Sequence, residues 1–180
     1  MGKKEKPAPV KLIVGFIFKE ESTLTRAKAI LERRFGKIDF ESRALDFNYT
    51  NYYEKELGFG LKRKFVSFAT LIQPEALPKI KVFTVKTEKK LSFKQNRLIN
   101  IDPGYLNLSR LILASTKDFS HRIYLDKSIY AEITLIFKDK TFQALEWTYP
   151  DYRTAEYIEI FHKIREAYFK QVNLECALPT

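Results

Sequence analysis

Cysteine is nearly absent from this chain of 180 residues, since Cys176 is the only one. A single cysteine excludes an internal disulfide and any metal site built from several thiolates. The longest uncharged apolar run covers residues 12–18, far short of the roughly 20 residues that a helix needs to cross a bilayer. The polar N-terminal segment also does not resemble a secretory signal. We therefore expect a cytoplasmic protein with no membrane partner.

Motifs whose spacing dictates one reaction are also missing. The chain has no phosphate-binding glycine loop, nucleophile elbow, paired-cysteine zinc site or dinucleotide fingerprint. Its two histidines, His121 and His162, are too far apart for the His-x-x-x-His spacing of a helical metal site. The sequence thus indicates no particular cofactor and favours no metal. It does not state a reaction.

The net charge of +10 is distributed unevenly. Residues 1–100 carry 22 Lys and Arg against 11 Asp and Glu, whereas residues 101–180 carry 10 against 11. A surface this basic attracts polyanions such as nucleic acid. Abundant Lys and Glu with one Met and one Cys are typical of a heat-adapted protein, and this is the interpretation that the composition favours.

Hydrophobic periodicity predicts one α+β domain over residues 11–175, preceded by a flexible tail at 1–10. Residues 11–18 are apolar on both alternating faces, which predicts a central strand covered on both sides. Ser22 or Thr23 can begin a helix that Gly36 ends, and residues 38–49 alternate as a strand. Asn51 has capping-box spacing to Glu54, which indicates one helical turn over 52–57.

The second half is predicted to be mainly antiparallel. A strand is predicted at 63–73. A helix follows, which begins at Pro74 and Pro78 and runs to about Leu91. Short alternating runs then predict a meander, and Thr154 or Asp151 can cap a last helix to about residue 173. The meander runs are 97–101, 110–117, 121–125, 129–138 and 142–147. We expect a mixed to antiparallel sheet with three main helices, whose element order up to Ile101 matches the split pattern of ferredoxin-like halves.

Several longer motifs resemble those of the bacterial family described as domain of unknown function 4416. They are residues 50–54 (TNYYE) with 56–58 (ELG), 100–106 (NIDPGYL), 113–117 (LASTK), 121–125 (HRIYL), 129–132 (IYAE) and 147–153 (WTYPDYR). One departure is Ser128, where we expect the family to have Gly before the IYAE run. The resemblance covers nearly the whole chain but implies no activity, cofactor or catalytic residue.

Residues 121–138 are predicted to form a hairpin in which paired residue numbers sum to 254. Ile123 then faces Ala131 on an apolar side, while Arg122 faces Glu132 on a polar side that also carries Tyr124 and Tyr130. An ordinary cross-strand ion pair, contributing about 0.2 to 1 kcal/mol, accounts for this pattern. Alternatively, Glu132 orients the planar fork of Arg122 toward an anionic group, with the tyrosines as walls.

His121 and two predicted turns complete the candidate site. By alternation His121 begins on the side of Ile123, which favours a partly buried histidine. A general acid/base role with a carboxylate beside it is the functional alternative. Asp102-Pro-Gly-Tyr has the composition of a β-turn, and Arg153, near a helix start, could help to hold an anion.

The leading hypothesis is a site for a small anionic or phosphorylated molecule, with enzymatic activity left open. Its predicted ligand-binding residues are Asp102, Tyr105, Lys117, Arg122, Tyr124, Asp151 and Arg153, and its predicted catalytic residues are His121 and Glu132. We expect these groups to converge on one pocket. One alternative is an RNA- or DNA-binding module that uses Lys62, Arg63 and Lys64 beside nearby aromatic residues. Another is a scaffold subunit with an exposed apolar patch. The sequence does not specify an oligomeric state.

Overall fold

The computed structural model describes residues 5–50, 52–94 and 96–177, with the side chains of 55 and 175–177 omitted. These residues form a nine-stranded sheet in which every pairing is antiparallel. The strands are β1 Lys11–Phe18, β2 Ile38–Glu41, β3 Leu45–Asp46, β4 Lys62–Phe68, β5 Ile99–Leu106, β6 Arg110–Ser115, β7 Ile123–Asp126, β8 Ile129–Lys138 and β9 Thr141–Ala144. The helices are α1 Glu21–Phe35, α2 Glu54–Leu57, α3 Leu77–Lys90 and α4 Ala155–Ala177. The α+β prediction is confirmed.

The main path of the sheet is β2-β4-β1-β5-β6-β8-β7, with β3 on β4 and β9 on β8. Its first four positions confirm the split arrangement, because β1 and β2, joined through α1, flank β4. All eight residues of β1 are buried, as expected for a central strand covered on both faces. Helices α1 and α3 pack on one face of this strand, and α4 packs on the other.

The Asp102-Pro-Gly-Tyr turn predicted from the sequence is wrong, because these residues lie inside β5. β5 pairs with β1 along its whole length, and this pairing overrides the local turn preference of Pro103 and Gly104. On the other side, its ladder with β6 covers only Gly104–Leu106. Pro103 has no backbone N–H to donate, so it suits the position where this second ladder stops.

Several predicted element boundaries also change. The alternating run at 38–49 forms two short strands, β2 and β3, and β4 ends at Phe68 rather than at residue 73. Thr154 caps α4 as predicted, since its Oγ1 accepts a hydrogen bond from the Tyr157 N–H at 3.3 Å. The predicted cap Asn51 lies outside the described residues.

The predicted hairpin register is confirmed for Ile123 with Ala131 and for Tyr124 with Tyr130. A bulge then pairs Asp126, rather than Leu125, with Ile129. The expected apolar face is wrong at Ile123, which is 69% exposed. β7 ends the main path of the sheet, and all four of its residues are exposed.

A buried lysine joins α4 to the sheet. Lys11 is 1% exposed, and its Nζ contacts Asp39 Oδ2 in β2 and donates to Gln171 Oε1 at 2.9 Å. Asp39 also accepts from Ser67 Oγ at 2.6 Å. The ammonium group thus has partners on two elements, as a buried charge requires.

Replacing Lys11 with Met is expected to lower the free energy of unfolding by about 2 kcal/mol, because Asp39 loses a buried partner. Urea denaturation measures the change. The matched control is Lys28→Met, which removes a more exposed ion pair with Glu41 and should cost less than about 1 kcal/mol. Equal losses in the two variants would contradict a special contribution from the buried pair.

Candidate functional site

One cavity lies where β5 and β6 separate. Beyond the Gly104–Leu113 pair the two strands have no register in common, and β6 continues in register with β8 alone. The cavity has a volume of about 500 Å³. It is lined by β5 on one side, by residues 113–117 on the other, by one stripe of α3 and by the segment 149–152. Phe47, Tyr49, Thr50, Tyr52 and Tyr53 complete this part of the lining.

The buried floor of the cavity contains Arg63 of β4. This side chain is 4% exposed, and its Nη2 donates to Asp151 Oδ2 at 2.9 Å, while its Nη1 lies 3.6 Å from Asp102 Oδ2. Its Nε and Nη1 are almost inaccessible to solvent and have no acceptor in full hydrogen-bond geometry among the described residues. Burial raises the pKa of the neighbouring Tyr157, and Arg63 opposes this effect through its charge and a hydrogen bond. Arg63 therefore gives the floor a positive charge without offering a free donor to the cavity.

Aromatic rings enclose the same guanidinium. Its central carbon lies 5.0 Å from the Phe47 ring centroid, 5.5 Å from that of Phe65 and 5.6 Å from that of Tyr152. Gly15 leaves room for it, since a Cβ at this position would lie 3.1 Å from Arg63 Nη1. Cation–π attraction in this desolvated setting contributes to holding Arg63 in place.

A second charged group lies along β5 and α3. Asp102 accepts from Asn100 Nδ2 at 2.7 Å and from Lys81 Nζ at 3.3 Å. Glu88 accepts from the Ile101 N–H at 2.6 Å and from Arg97 Nη1 at 3.4 Å. Burial raises the pKa of Glu88 above its ordinary value, although Lys81 and the Ile101 N–H oppose this effect.

Arg97 connects this group to α2. Its Nη2 donates to Glu56 Oε2 at 2.6 Å and its Nε donates to Glu56 Oε1 at 2.8 Å, which is a bidentate pairing. These hydrogen bonds hold the pKa of Glu56 below its usual range. Glu56 therefore remains the charged partner of Arg97 when Glu88 is protonated.

A third group is built around Glu132 of β8. This buried carboxylate accepts from Arg122 Nε at 2.8 Å, and its Oε2 lies 3.2 Å from His121 Nε2. Arg122 also donates from Nη1 to the Lys117 carbonyl at 2.9 Å and from Nη2 to the Tyr149 hydroxyl at 2.7 Å. Burial raises the pKa of Tyr149, so its phenol accepts this hydrogen bond in the neutral form.

Tyrosines and one lysine form the mouth of the cavity. Tyr49, Tyr52 and Tyr149 are 43%, 59% and 47% exposed. Lys117 Nζ donates to the Tyr52 hydroxyl at 2.8 Å and lies 4.3 Å from the centroid of that ring. We call these four residues the rim.

The cavity has a small excess of positive charge. Five cationic residues line it, namely Arg63, Lys81, Arg97, Lys117 and Arg122, against the four acidic residues Glu88, Asp102, Glu132 and Asp151. Within the described part of the chain, Lys117 is the one lining cation that forms no ion pair with a carboxylate. A neutral Glu88 would increase the excess.

Five of the nine predicted site residues line this cavity, and they are Asp102, Lys117, Arg122, Glu132 and Asp151. His121 does not line it but reaches Glu132 from behind, and its ring stacks on Trp147 at 5.3 Å and 7°. The expectation that His121 lies with Ile123 is wrong, because residue 121 precedes β7 and does not follow its alternation.

The other three predicted ligand-binding residues lie elsewhere. Tyr105 points to the face of β5 opposite Asp102, because strand residues an odd number apart alternate, and it packs with Leu77 and Ile112. Tyr124 lies on the exposed strand β7 against Tyr130. Arg153 donates to the carbonyls of Thr148, Leu145 and Glu146, so it holds the 145–148 loop rather than an anion.

The predicted nucleic-acid surface does not form. Arg63 is buried in the cavity floor, and Lys64 donates to Glu41 Oε1 at 2.8 Å. Phe65, one of the aromatic residues near them, is buried in the core under α4. Lys62 is only partly exposed, so the three basic residues do not present one basic face.

Sequence reasoning missed several lining residues, including Arg63 as a site residue, Tyr149 and the α3 stripe of Lys81, Val85 and Glu88. A signal existed for the stripe, because residues 81, 85 and 88 follow the i, i+4, i+7 spacing of one helix face. Arg63 shares its strand face with Phe65, whose type predicts burial. Charged residues are usually exposed, so neither the α3 stripe nor Arg63 was expected to line a cavity.

Among the described residues, no group of three or more His, Cys, Asp and Glu side chains is placed to hold a metal ion. No helix in that part of the chain has the length and apolar character needed to span a bilayer.

Glu88→Gln is expected to change how stability depends on pH. Because folding raises the pKa of Glu88, the folded state binds more protons than the unfolded state above the ordinary pKa of 4.5, and the free energy of unfolding then falls as pH rises. The variant should lack this decline, so its stability relative to the natural chain increases from pH 4.5 upward. Urea denaturation between pH 4 and 8 tests this, with exposed Glu75→Gln as control; parallel profiles for all three chains would contradict it.

Comparison with known proteins gives one match. No curated protein and no solved structure matches the chain. A family model described as domain of unknown function (DUF4416) matches residues 8–168. This range includes the whole cavity and extends into α4, and the resemblance seen in the sequence is thereby confirmed. The chain belongs to the DUF4416 family.

Proposed function

We propose that the cavity between β5 and β6 binds a small anionic molecule. The observation that carries the proposal is Lys117 at the rim, which among the described residues is the one lining cation that forms no ion pair with a carboxylate. Its Nζ donates to the Tyr52 hydroxyl and keeps further N–H groups for an acceptor on a ligand.

The charge of the lining supports an anion over a cation. Lys117 at the rim has a phenol rather than a carboxylate as its partner, so its charge is not neutralised locally. Tyr52 holds the ammonium in place without opposing its attraction for an anion. An anion at the rim would contact Lys117 without separating any ion pair of the described residues, and the buried charge of Arg63 would add to the attraction.

Arg122 has a different role in this proposal from the one its sequence position indicated. Three of its nitrogens are already occupied by Glu132, the Lys117 carbonyl and Tyr149. It contributes positive charge and fixes two rim residues in place. Glu132 and His121, 3.2 Å apart, form the pair for any proton transfer to the bound molecule.

Thermal shift measurements with inorganic phosphate, sugar phosphates, nucleotides and carboxylates test the proposal. A ligand at 100 times its dissociation constant stabilises a protein by about 2.7 kcal/mol. Lys117→Met should weaken binding by about tenfold or more, because a charge-assisted hydrogen bond is lost. Arg122→Ala should reduce the shift as well, since the rim loses its anchor.

The matched control is Lys163→Met, which removes the same charge from an exposed position on α4 that does not line the cavity. It should leave the ligand-induced shift unchanged. Equal weakening in Lys163→Met and Lys117→Met would indicate nonspecific attraction to a basic protein. A panel in which no anion shifts the melting temperature would refute the proposed function.

A further inference from the structure

The rim of the cavity contains more aromatic surface than anion binding requires. Tyr49, Tyr52 and Tyr149 are each exposed by two fifths or more while lining a cavity whose floor is charged. Large aromatic side chains that remain exposed around a pocket are a feature of recognition sites. Their arrangement distinguishes one of the three.

The Tyr149 side chain is held in place through its hydroxyl, and the faces of its ring are free of other aromatic rings among the described residues. Its hydroxyl accepts from Arg122 Nη2 at 2.7 Å, and its backbone, with φ −55° and ψ 144°, precedes the rigid Pro150. No aromatic ring of the described residues packs against it. In contrast, Tyr49 packs against the rings of Phe47 and Tyr157, and Tyr52 is occupied by Lys117 and by the edge contact with Tyr53. Tyr149 is therefore the rim ring available to stack on a ligand.

The available ring lies near the available cation. Arg122 donates from Nη2 to Tyr149 and from Nη1 to the backbone carbonyl of Lys117, so one guanidinium contacts both residues. A ligand that stacks on Tyr149 and pairs with Lys117 must therefore have its ring and its anionic group within the length of a small molecule. The cavity volume of about 500 Å³ lies within the usual range for such ligands.

Asp102 lines the same cavity and offers acceptor oxygens there. It is about one quarter exposed, its Oδ1 accepts a hydrogen bond from Lys81, and its Oδ2 accepts one from Asn100. Carboxylate oxygens have further acceptor capacity, and a carboxylate is the group that commonly binds ribose hydroxyls. Asp102 cannot itself bind the phosphate, so it suits an uncharged, hydroxyl-bearing part of the ligand.

Resting on the proposed function, we infer that the anion is a nucleoside phosphate. Its base stacks on Tyr149, its ribose hydroxyls donate to Asp102, and its phosphate pairs with Lys117. A sugar phosphate would satisfy the last two contacts and leave the Tyr149 ring unused. The base is the part of the ligand that the exposed ring selects.

Isothermal titration with the four ribonucleoside 5′-monophosphates and with ribose 5-phosphate tests the inference. Ribose 5-phosphate is the matched probe, because it keeps the sugar and the phosphate and lacks only the base. At least one nucleotide should bind about tenfold or more tightly than ribose 5-phosphate, as base stacking on an aromatic side chain provides.

Three variants locate the effect. Tyr149→Leu should reduce the nucleotide preference to near unity, whereas Tyr149→Phe keeps the ring and should retain most of it. Tyr124→Leu removes another exposed tyrosine that does not line the cavity, and it should retain the full preference. Loss of the preference in Tyr124→Leu as well as in Tyr149→Leu would overturn the assignment to the rim.

The outcomes separate the two claims. Equal affinity for all five probes, weakened in each case by Lys117→Met, would overturn the nucleoside inference and leave the proposed anion site standing. Binding of none of the probes, together with an absence of thermal shifts for the wider anion panel, would overturn both.

Discussion

The site depends on one buried charge, the guanidinium of Arg63. Losing one partner of a buried ion pair costs about 3 to 5 kcal/mol because the remaining charge is uncompensated, so Asp151 must be within reach of Arg63 whenever the chain is folded. Asp151 belongs to the 3-10 turn Pro150–Arg153 between the sheet and α4. Fixing that turn also fixes the preceding Tyr149, and a rim residue far from β4 in sequence is thereby positioned by a core ion pair. Gly15 on the central strand supplies the space that this pair occupies.

The separation of β5 from β6 converts this ion pair into the floor of a cavity. If the ladder continued past Gly104, β6 would cover Asn100 and Asp102. The close approach at Gly104, where a Cβ would lie 2.3 Å from the Ile112 carbonyl oxygen, shows how tightly the strands pack at the last shared position. Past Gly104, where β5 and β6 separate, Lys81 and Glu88 of α3 line the gap between the two strands. The polar lining thus comes from a helix on the opposite face of the sheet, reached through the opening between two strands.

Local sequence patterns predicted most helices and strands and the hairpin of β7 and β8. Contacts between residues far apart in the sequence decided the features that these patterns did not predict. The periodicity of β1 and the Tyr124–Tyr130 register required only neighbouring residues, and both are confirmed. The turn at Asp102 was wrong because its conformation is set by β1, some ninety residues earlier. Arg153 was assigned to an anion, but in the structure it donates to three carbonyls of its own loop. Turn composition and charge indicate what a residue can do, and packing decides which of these possibilities occurs.

The basic first half of the chain illustrates the same distinction for electrostatics. Its excess charge suggested a polyanion surface, yet Lys11, Lys28, Lys64 and Arg63 each pair with a specific carboxylate. Charges neutralised at contact distance contribute little to the field that a distant partner experiences. Lys117 belongs to the acidic second half of the sequence, and it is the lining cation whose partner is a phenol. The local positive excess therefore arises at a position where composition alone predicts none, because the ion pairs of the fold, rather than the net charge, determine which cations are available to a ligand.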